Sequence, residues 1–370
     1  MKRRHLFSYA PAIAALAFAL AGCAVSPQSS APLPARAEVR HSASAPVLRV
    51  FTAGKTKGFP KGSVPYDITL GPDGAMWFAD GNVPGVGRID SHGAVVEYTK
   101  GLPIGALPYS IVNGTDGNLW FSDASGAIGS ITPAGTIHEY SVLGVTNGGV
   151  PLGVAAAPDG AIWAIVIGPP SLLVRLEKNG KMSVVKIPKQ YQADGSLAAD
   201  AGGALWMMVR QGEDGIMLER KARGGWSAHA TGLNDARLPC CPNRAPKRIA
   251  FDRFGNTWFS TLYWLDPKIP GNLVGEVTAS GTKLFPVRSR GMMSVYPSGI
   301  ATSGTDVWLA GDSPFQIAGG LWRIGEKGTQ WAYPITNNPI DLAADASGNL
   351  WMTAEAFDKP GQIVEAVTSQ

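Results

Sequence analysis

Fourteen side chains occupy two recurring places along this chain, and most of them can carry or bind charge. One place follows a proline at the head of a short apolar run: Tyr66, Asp67, Tyr109, Ser110, Lys247, Arg248, Ser298 and Asp341. The other follows a tryptophan in the next apolar run: Asp80, Asp123, Arg210, Tyr263, Asp312 and Glu355. Carboxylates converging from several copies would supply the hard oxygen ligands that Mg²⁺ or Ca²⁺ takes, which makes Asp67, Asp80, Asp341 and Glu355 a candidate metal set. Lys247 and Arg248 among them would either pair with the acids or hold an anionic ligand. The same acids also suit a plainer role, capping turns and accepting backbone N–H groups, for which aspartate is common.

The elements that must position these residues are written as a repeat. The stretch PYDITLGPDGAMWFAD, residues 65 to 80, recurs in variants beginning at 108, 151, 195, 246, 297 and 339. Each variant is a short apolar strand, a glycine-bearing turn and a second strand holding a tryptophan. The tryptophans are Trp77, Trp120, Trp163, Trp206, Trp258, Trp308 and Trp351, spaced 43, 43, 43, 52, 50 and 43 residues apart. That period belongs to four-stranded propeller blades. Third strands resembling VGRID and fourth strands resembling VVEYT follow in most copies, with tight glycine-bearing turns between them such as Ser91-His92-Gly93. The last copy stops after its third strand, and VLRVFTAG, residues 47 to 54, matches the missing fourth. The fold expected is therefore all-β: a seven-bladed β-propeller with four antiparallel strands per blade, its ring closed by the N-terminal strand. A tryptophan present at one place in every blade is core and cannot mark a single site.

With 45% hydrophobic and 16% charged residues, the chain of 370 is composed to fold around a large core. The net charge of +4 is concentrated at the start. Without Lys2, Arg3 and Arg4 the chain holds 29 basic against 28 acidic residues, a balance that excludes a nucleic-acid surface. Those three cations, the apolar run Ala12 to Ala21 and the tetrapeptide Leu20-Ala21-Gly22-Cys23 read as an export signal over residues 1 to 22, too short to span a bilayer. The tetrapeptide is similar to a bacterial lipobox, which would make Cys23 the lipidated first residue. With Ala24 following, the resemblance implies the periplasmic face of the outer membrane. Residues 23 to 46, rich in Pro, Ala and Ser, then form a tether, and residues 47 to 370 the propeller.

PYSIVNGTDGNLWFSDASGAIGSITPAGTIHEYSV, residues 108 to 142, shows the unit in full and resembles the streptogramin B lyase (virginiamycin B lyase) family. The resemblance covers residues 47 to 370. It implies a seven-bladed propeller that linearises a cyclic depsipeptide by elimination at an ester, using Mg²⁺ and a histidine base. The family's histidines follow the innermost proline in the last two blades, where this chain has Ser298 and Ile340. Its metal-associated glutamate corresponds to Asn338, and the acid four residues past the last tryptophan is kept as Glu355, the one candidate catalytic residue. Neither Ser nor Ile can take a proton as imidazole does. The five histidines are His5 in the signal, His41 in the tether, His92 in a turn at the opposite mouth, and His138 and His229 in outermost strands.

Two wide intervals place extra sequence near the same mouth, where Tyr263, Trp264, Met292, Met293, Tyr296 and Phe315 would form an aromatic rim or simply anchor long loops. Tyr66, Tyr109, Lys247, Arg248, Tyr263, Trp264, Ser298 and Asn338 are the candidate ligand-binding residues. Cys240 and Cys241 are a candidate vicinal disulfide, strained because adjacent Cα atoms lie about 3.8 Å apart, or else two thiols. The function expected is an envelope lipoprotein that binds a small molecule, glycan or protein. The alternative is a lyase, or a lactonase-like hydrolase, built on the metal and carboxylate set.

Overall fold

The computed structural model describes residues 39–40, 46–212, 214–232, 246–261, 273–287, 296–312, 319–325, 330–335, 338–356 and 359–368. Cys23, Cys240, Cys241, Tyr263, Trp264, Met292, Met293 and Phe315 lie outside them, as do the side chains of Lys247 and Tyr296.

Seven antiparallel sheets follow one another along the chain. Blade one is Pro65–Leu70, Met76–Asp80, Gly85–Ile89 and Val95–Tyr98. Blade two repeats it with Pro108–Asn113, Leu119–Asp123, Ala127–Ile131 and Ile137–Ser141. Successive innermost strands are neighbours, and that of blade seven, Pro339–Ala344, lies against that of blade one, so the array closes into a ring. Val47–Thr52 pairs antiparallel with Lys359–Val367 and supplies the outermost strand of blade seven, as the repeat count requires. Within the stretch read as a tether, Val39–Arg40 runs parallel to Gln330–Trp331 and adds a short fifth strand to blade six.

Second strands are sandwiched between blades and buried on both faces, as in Met76–Asp80 and Leu119–Asp123. The repeat tryptophans lie there. Trp77 donates its indole N–H to Asp73 at 2.9 Å, and the same bond recurs from Trp206 to Asp200, Trp258 to Asp252 and Trp351 to Asp345 at 2.9–3.0 Å. Most indoles also meet an aromatic ring from the outermost strand, among them Tyr98 on Trp77, Tyr140 on Trp120, Phe285 on Trp258 and Tyr333 on Trp308. Such pairs are worth about 0.5–1.5 kcal/mol beyond the area they bury. In blade seven the partner of Trp351 is Phe51, carried in by the N-terminal strand. Blade three has no such ring, and the Arg220 guanidinium sits 4.9 Å from the Trp163 ring centre instead.

The third-strand glycine of the VGRID pattern has a steric cause. A Cβ on Gly87, Gly129 or Gly275 would lie 1.9–2.0 Å from the ring of Phe78, Phe121 or Phe259 in the same blade.

Candidate functional site at the axial mouth

Every innermost strand breaks register just after its start, between Pro65 and Asp67, Pro108 and Ser110, Pro151 and Gly153, and likewise in the other four blades. The bulge takes the residue after the proline out of the ladder. Backbone amides opened by it are caught by second-strand hydroxyls: Ser110 N–H donates to Ser122 Oγ at 3.1 Å, Arg248 N–H to Ser260 Oγ at 3.2 Å and Asp341 N–H to Thr353 Oγ1 at 3.1 Å. The Ser122 hydroxyl in turn donates to the Leu152 carbonyl of the next blade at 2.7 Å, tying neighbours together.

These registers set Asp67, Ser110, Gly153, Ser196, Arg248, Gly299 and Asp341 at one level around the axis, one from each blade. A cavity of about 320 Å³ has Asp67, Arg248 and Asp341 in its lining, with walls that include Ile68, Ile111, Ile249 and Ile300. Arg248 Nε lies 3.2 Å from Asp341 Oδ1, and its NH1 lies 3.8 Å from Asp67 Oδ2. Asp67 also accepts from the backbone N–H of Ile68 at 2.9 Å and of Ile111 in the next blade at 3.1 Å. Burial raises the Asp341 carboxyl well above the usual range, with Asp67 adding to it against the pull of Arg248. For Asp67, burial is outweighed by Arg248 and by hydrogen bonds from Asp341, Ser110 and Ile111, which hold it below the usual range. Of the two acids Asp341 is the one that keeps a proton more readily, and the guanidinium beside them stays charged because the acids outweigh the cost of its burial.

Above this layer the Tyr66 and Tyr109 rings lie 5.5 Å apart, and Arg248 donates to the Tyr66 carbonyl at 3.4 Å. Burial, then Glu355, Tyr109 and Asp80, raise the Tyr66 phenol. Glu355 is exposed at the mouth, its carboxyl raised by partial burial, and its N–H donates to the buried Asn338 carbonyl at 3.0 Å. Ser298 is committed: its hydroxyl donates to the Pro339 carbonyl at 2.7 Å.

The candidate metal set is thus divided. Asp67 and Asp341 converge, but the Arg248 guanidinium already occupies the place of a cation between them. Asp80 serves its own turn, its Oδ1 accepting from Val64, Asn82 and Val83 at 3.0–3.2 Å. Among the described residues no three His, Cys, Asp or Glu are grouped to hold a metal. The axial residues therefore do not fit Mg²⁺ or Ca²⁺. The described histidines are also far from the axis in the fold. His138 and His229 lie on outermost strands, where His229 stacks on Trp206 and meets Glu219 at 3.0 Å, and His92 lies in the turn beyond Asp90.

Sequence reasoning missed Glu97 and Glu139. Both stand on outermost strands, yet burial raises Glu97 to about 9 and Glu139 to about 8, with Asp80 and Asp123 respectively contributing. The signal was present as a Glu-Tyr pair at the same place in two copies, Glu97-Tyr98 and Glu139-Tyr140.

A closed ring of seven bladed sheets with a polar axial layer defines the class, a seven-bladed β-propeller. The model of the Virginiamycin B lyase family matches residues 39–217, and over that stretch the propeller is similar to this family. No curated protein matches the chain significantly. Its fold is similar to that of a catalytically inactive histidine-to-alanine variant of virginiamycin B lyase from Staphylococcus aureus with quinupristin, at 19% identity and a TM-score of 0.67, over 87% of this chain and 99% of that one. A streptogramin B lyase structure is alike at 19% identity and a TM-score of 0.66, over 86% and 97%. Kuenenia stuttgartiensis hydrazine synthase shares the fold at 12% identity and a TM-score of 0.61, over 81% and 93%.

Proposed function

We propose that this propeller is a ligand-binding scaffold of the cell envelope, held at the periplasmic face of the outer membrane through an acylated Cys23, and that its mouth at Tyr66 and Tyr109 receives the ligand. One observation carries the reading. Where the family resemblance places its proton acceptors, this chain has Ser298, whose hydroxyl is spent on the Pro339 carbonyl, and Ile340. No imidazole among the described residues replaces them, and Arg248 fills the space between the axial acids. What remains is a recognition surface: two tyrosine rings, the Glu355 carboxylate and a guanidinium backed by two carboxyls. Aromatic faces beside a few fixed polar groups suit an organic ligand. The 39–217 family match favours a second reading, in which the mouth still opens a cyclic depsipeptide by other means.

Calorimetry with quinupristin and other cyclic depsipeptides, followed by chromatography that separates the ring from its ring-opened isomer, tests both. Binding that weakens at least about tenfold in Tyr109→Ala, with the ring intact, supports the scaffold. Ring opening that is lost in Glu355→Gln establishes the lyase reading instead. Labelled palmitate entering the wild type and absent from Cys23→Ser checks the anchor.

A further inference from the structure

We propose that blade one holds a calcium ion between Ser63, Asp80 and Glu97. Four buried oxygen atoms of these three side chains have no hydrogen-bond partner: Ser63 Oγ, Asp80 Oδ2 and both carboxylate oxygens of Glu97. Ser63 and Asp80 are each 0% exposed, and the Ser63 hydroxyl is turned toward Asp80. Asp80 Oδ1 is saturated by the amides of Val64, Asn82 and Val83, so its second oxygen is the one available to a ligand. Carboxylate oxygens only accept, and burying several without a donor or a cation is expensive. Among the described residues neither acid is paired with a Lys or Arg.

Blade two supplies the comparison. Asp123 and Glu139 take the places of Asp80 and Glu97, since Leu107 N–H donates to Asp123 Oδ1 as Val64 N–H does to Asp80 Oδ1. There Ala106 stands for Ser63 and Ala127 for Gly85. Asp123 Oδ2 and Glu139 Oε1 are likewise buried without a partner, but Ala106 offers no hydroxyl beside them. In blade one both oxygens of the glutamate and the Ser63 hydroxyl are orphaned as well. A Cβ on Gly85 would lie 2.5 Å from Glu97 Oε1, so the glycine leaves the glutamate its place in this pocket. Two buried acids with orphaned oxygens, and a buried hydroxyl beside them, form an oxygen cage. Four protein oxygens fall short of the six to eight that calcium takes, and water supplies the rest.

The test uses the full chain purified in detergent, stripped with chelator and titrated with CaCl₂. The expected result is one ion per chain by equilibrium dialysis and a melting temperature raised by about 3 °C or more. Both effects should vanish in Glu97→Gln and persist in Glu139→Gln. If Glu97→Gln does not fold, the pair Ser63→Ala with Gly85→Ala, which copies blade two, is used instead and should lose the ion. No calcium uptake by the wild type, or uptake unchanged in these blade-one variants, overturns the proposal.

Discussion

Arg248 Nε reaches Asp341 Oδ1 at 3.2 Å across an entire blade, because the intervening ring position is Gly299. A Cβ there would lie 2.8 Å from the Asp341 backbone, so the same glycine lets blades six and seven close up and leaves the guanidinium its path. Three charged groups from blades one, five and seven thus form one buried assembly, and their fates are linked.

Arg248→Met should leave two buried acids without a counter-charge and cost about 3–5 kcal/mol, read from urea unfolding at pH 7. Adding Asp67→Asn and Asp341→Asn should recover much of that loss, since the orphaned charge is then gone. A triple variant no more stable than Arg248→Met would contradict the linkage.

Gly129→Ala should destabilise by about 1–3 kcal/mol, because the new methyl would lie 2.0 Å from the Phe121 ring. Phe121→Leu in the same chain should relieve part of the clash. Thermal unfolding of the single and double variants measures the interaction directly.

Glu139 makes stability fall with pH. Its carboxyl is raised from 4.5 to about 8 in the folded chain, by burial first and then by Asp123. Between those values the native state holds a proton that the unfolded chain releases, so stability declines as pH rises from about 4.5 and levels off above about 8. Glu139→Gln should remove this slope. Denaturant midpoints at pH 5, 7 and 9 should therefore fall less across the series in the variant than in the wild type.

Removing residues 1 to 54 should deprive blade seven of its outermost strand, the Phe51 stack on Trp351 and the Arg49 to Glu365 ion pair at 2.6 Å. The bared edge of Lys359–Val367 is a template for pairing with other chains. Size-exclusion chromatography should show association where the longer chain runs as one species.

The ring was legible because each blade repeats one pattern of proline, turn and tryptophan, and a count of those patterns fixes both blade number and closure. The meeting of Arg248 with Asp67 and Asp341 was half legible: the repeat put all three at one mouth, but the pairing depends on a bulge and on Gly299, which no local pattern announces. Asp80 offered no sign of its turn role, because the amides its Oδ1 accepts belong to Val64, Asn82 and Val83, residues that carry no motif. Glu97 and Glu139 were passed over because alternation along an outer strand assigns a glutamate to solvent. Each stands opposite a third-strand glycine, Gly87 or Gly129, and that becomes visible only when strands are laid side by side.

The pairing of Val47–Thr52 with Lys359–Val367 also imposes an order on biogenesis. Arg49 and Glu365 are 316 positions apart, so the Val47–Thr52 strand has no proper place until Lys359–Val367 has been translated. At roughly 5–20 residues per second the wait runs to tens of seconds, during which the early strand must be kept from wrong partners. A product halted before Lys359 would leave Val47–Thr52 unpaired and the wheel open, so closure waits on the synthesis of blade seven.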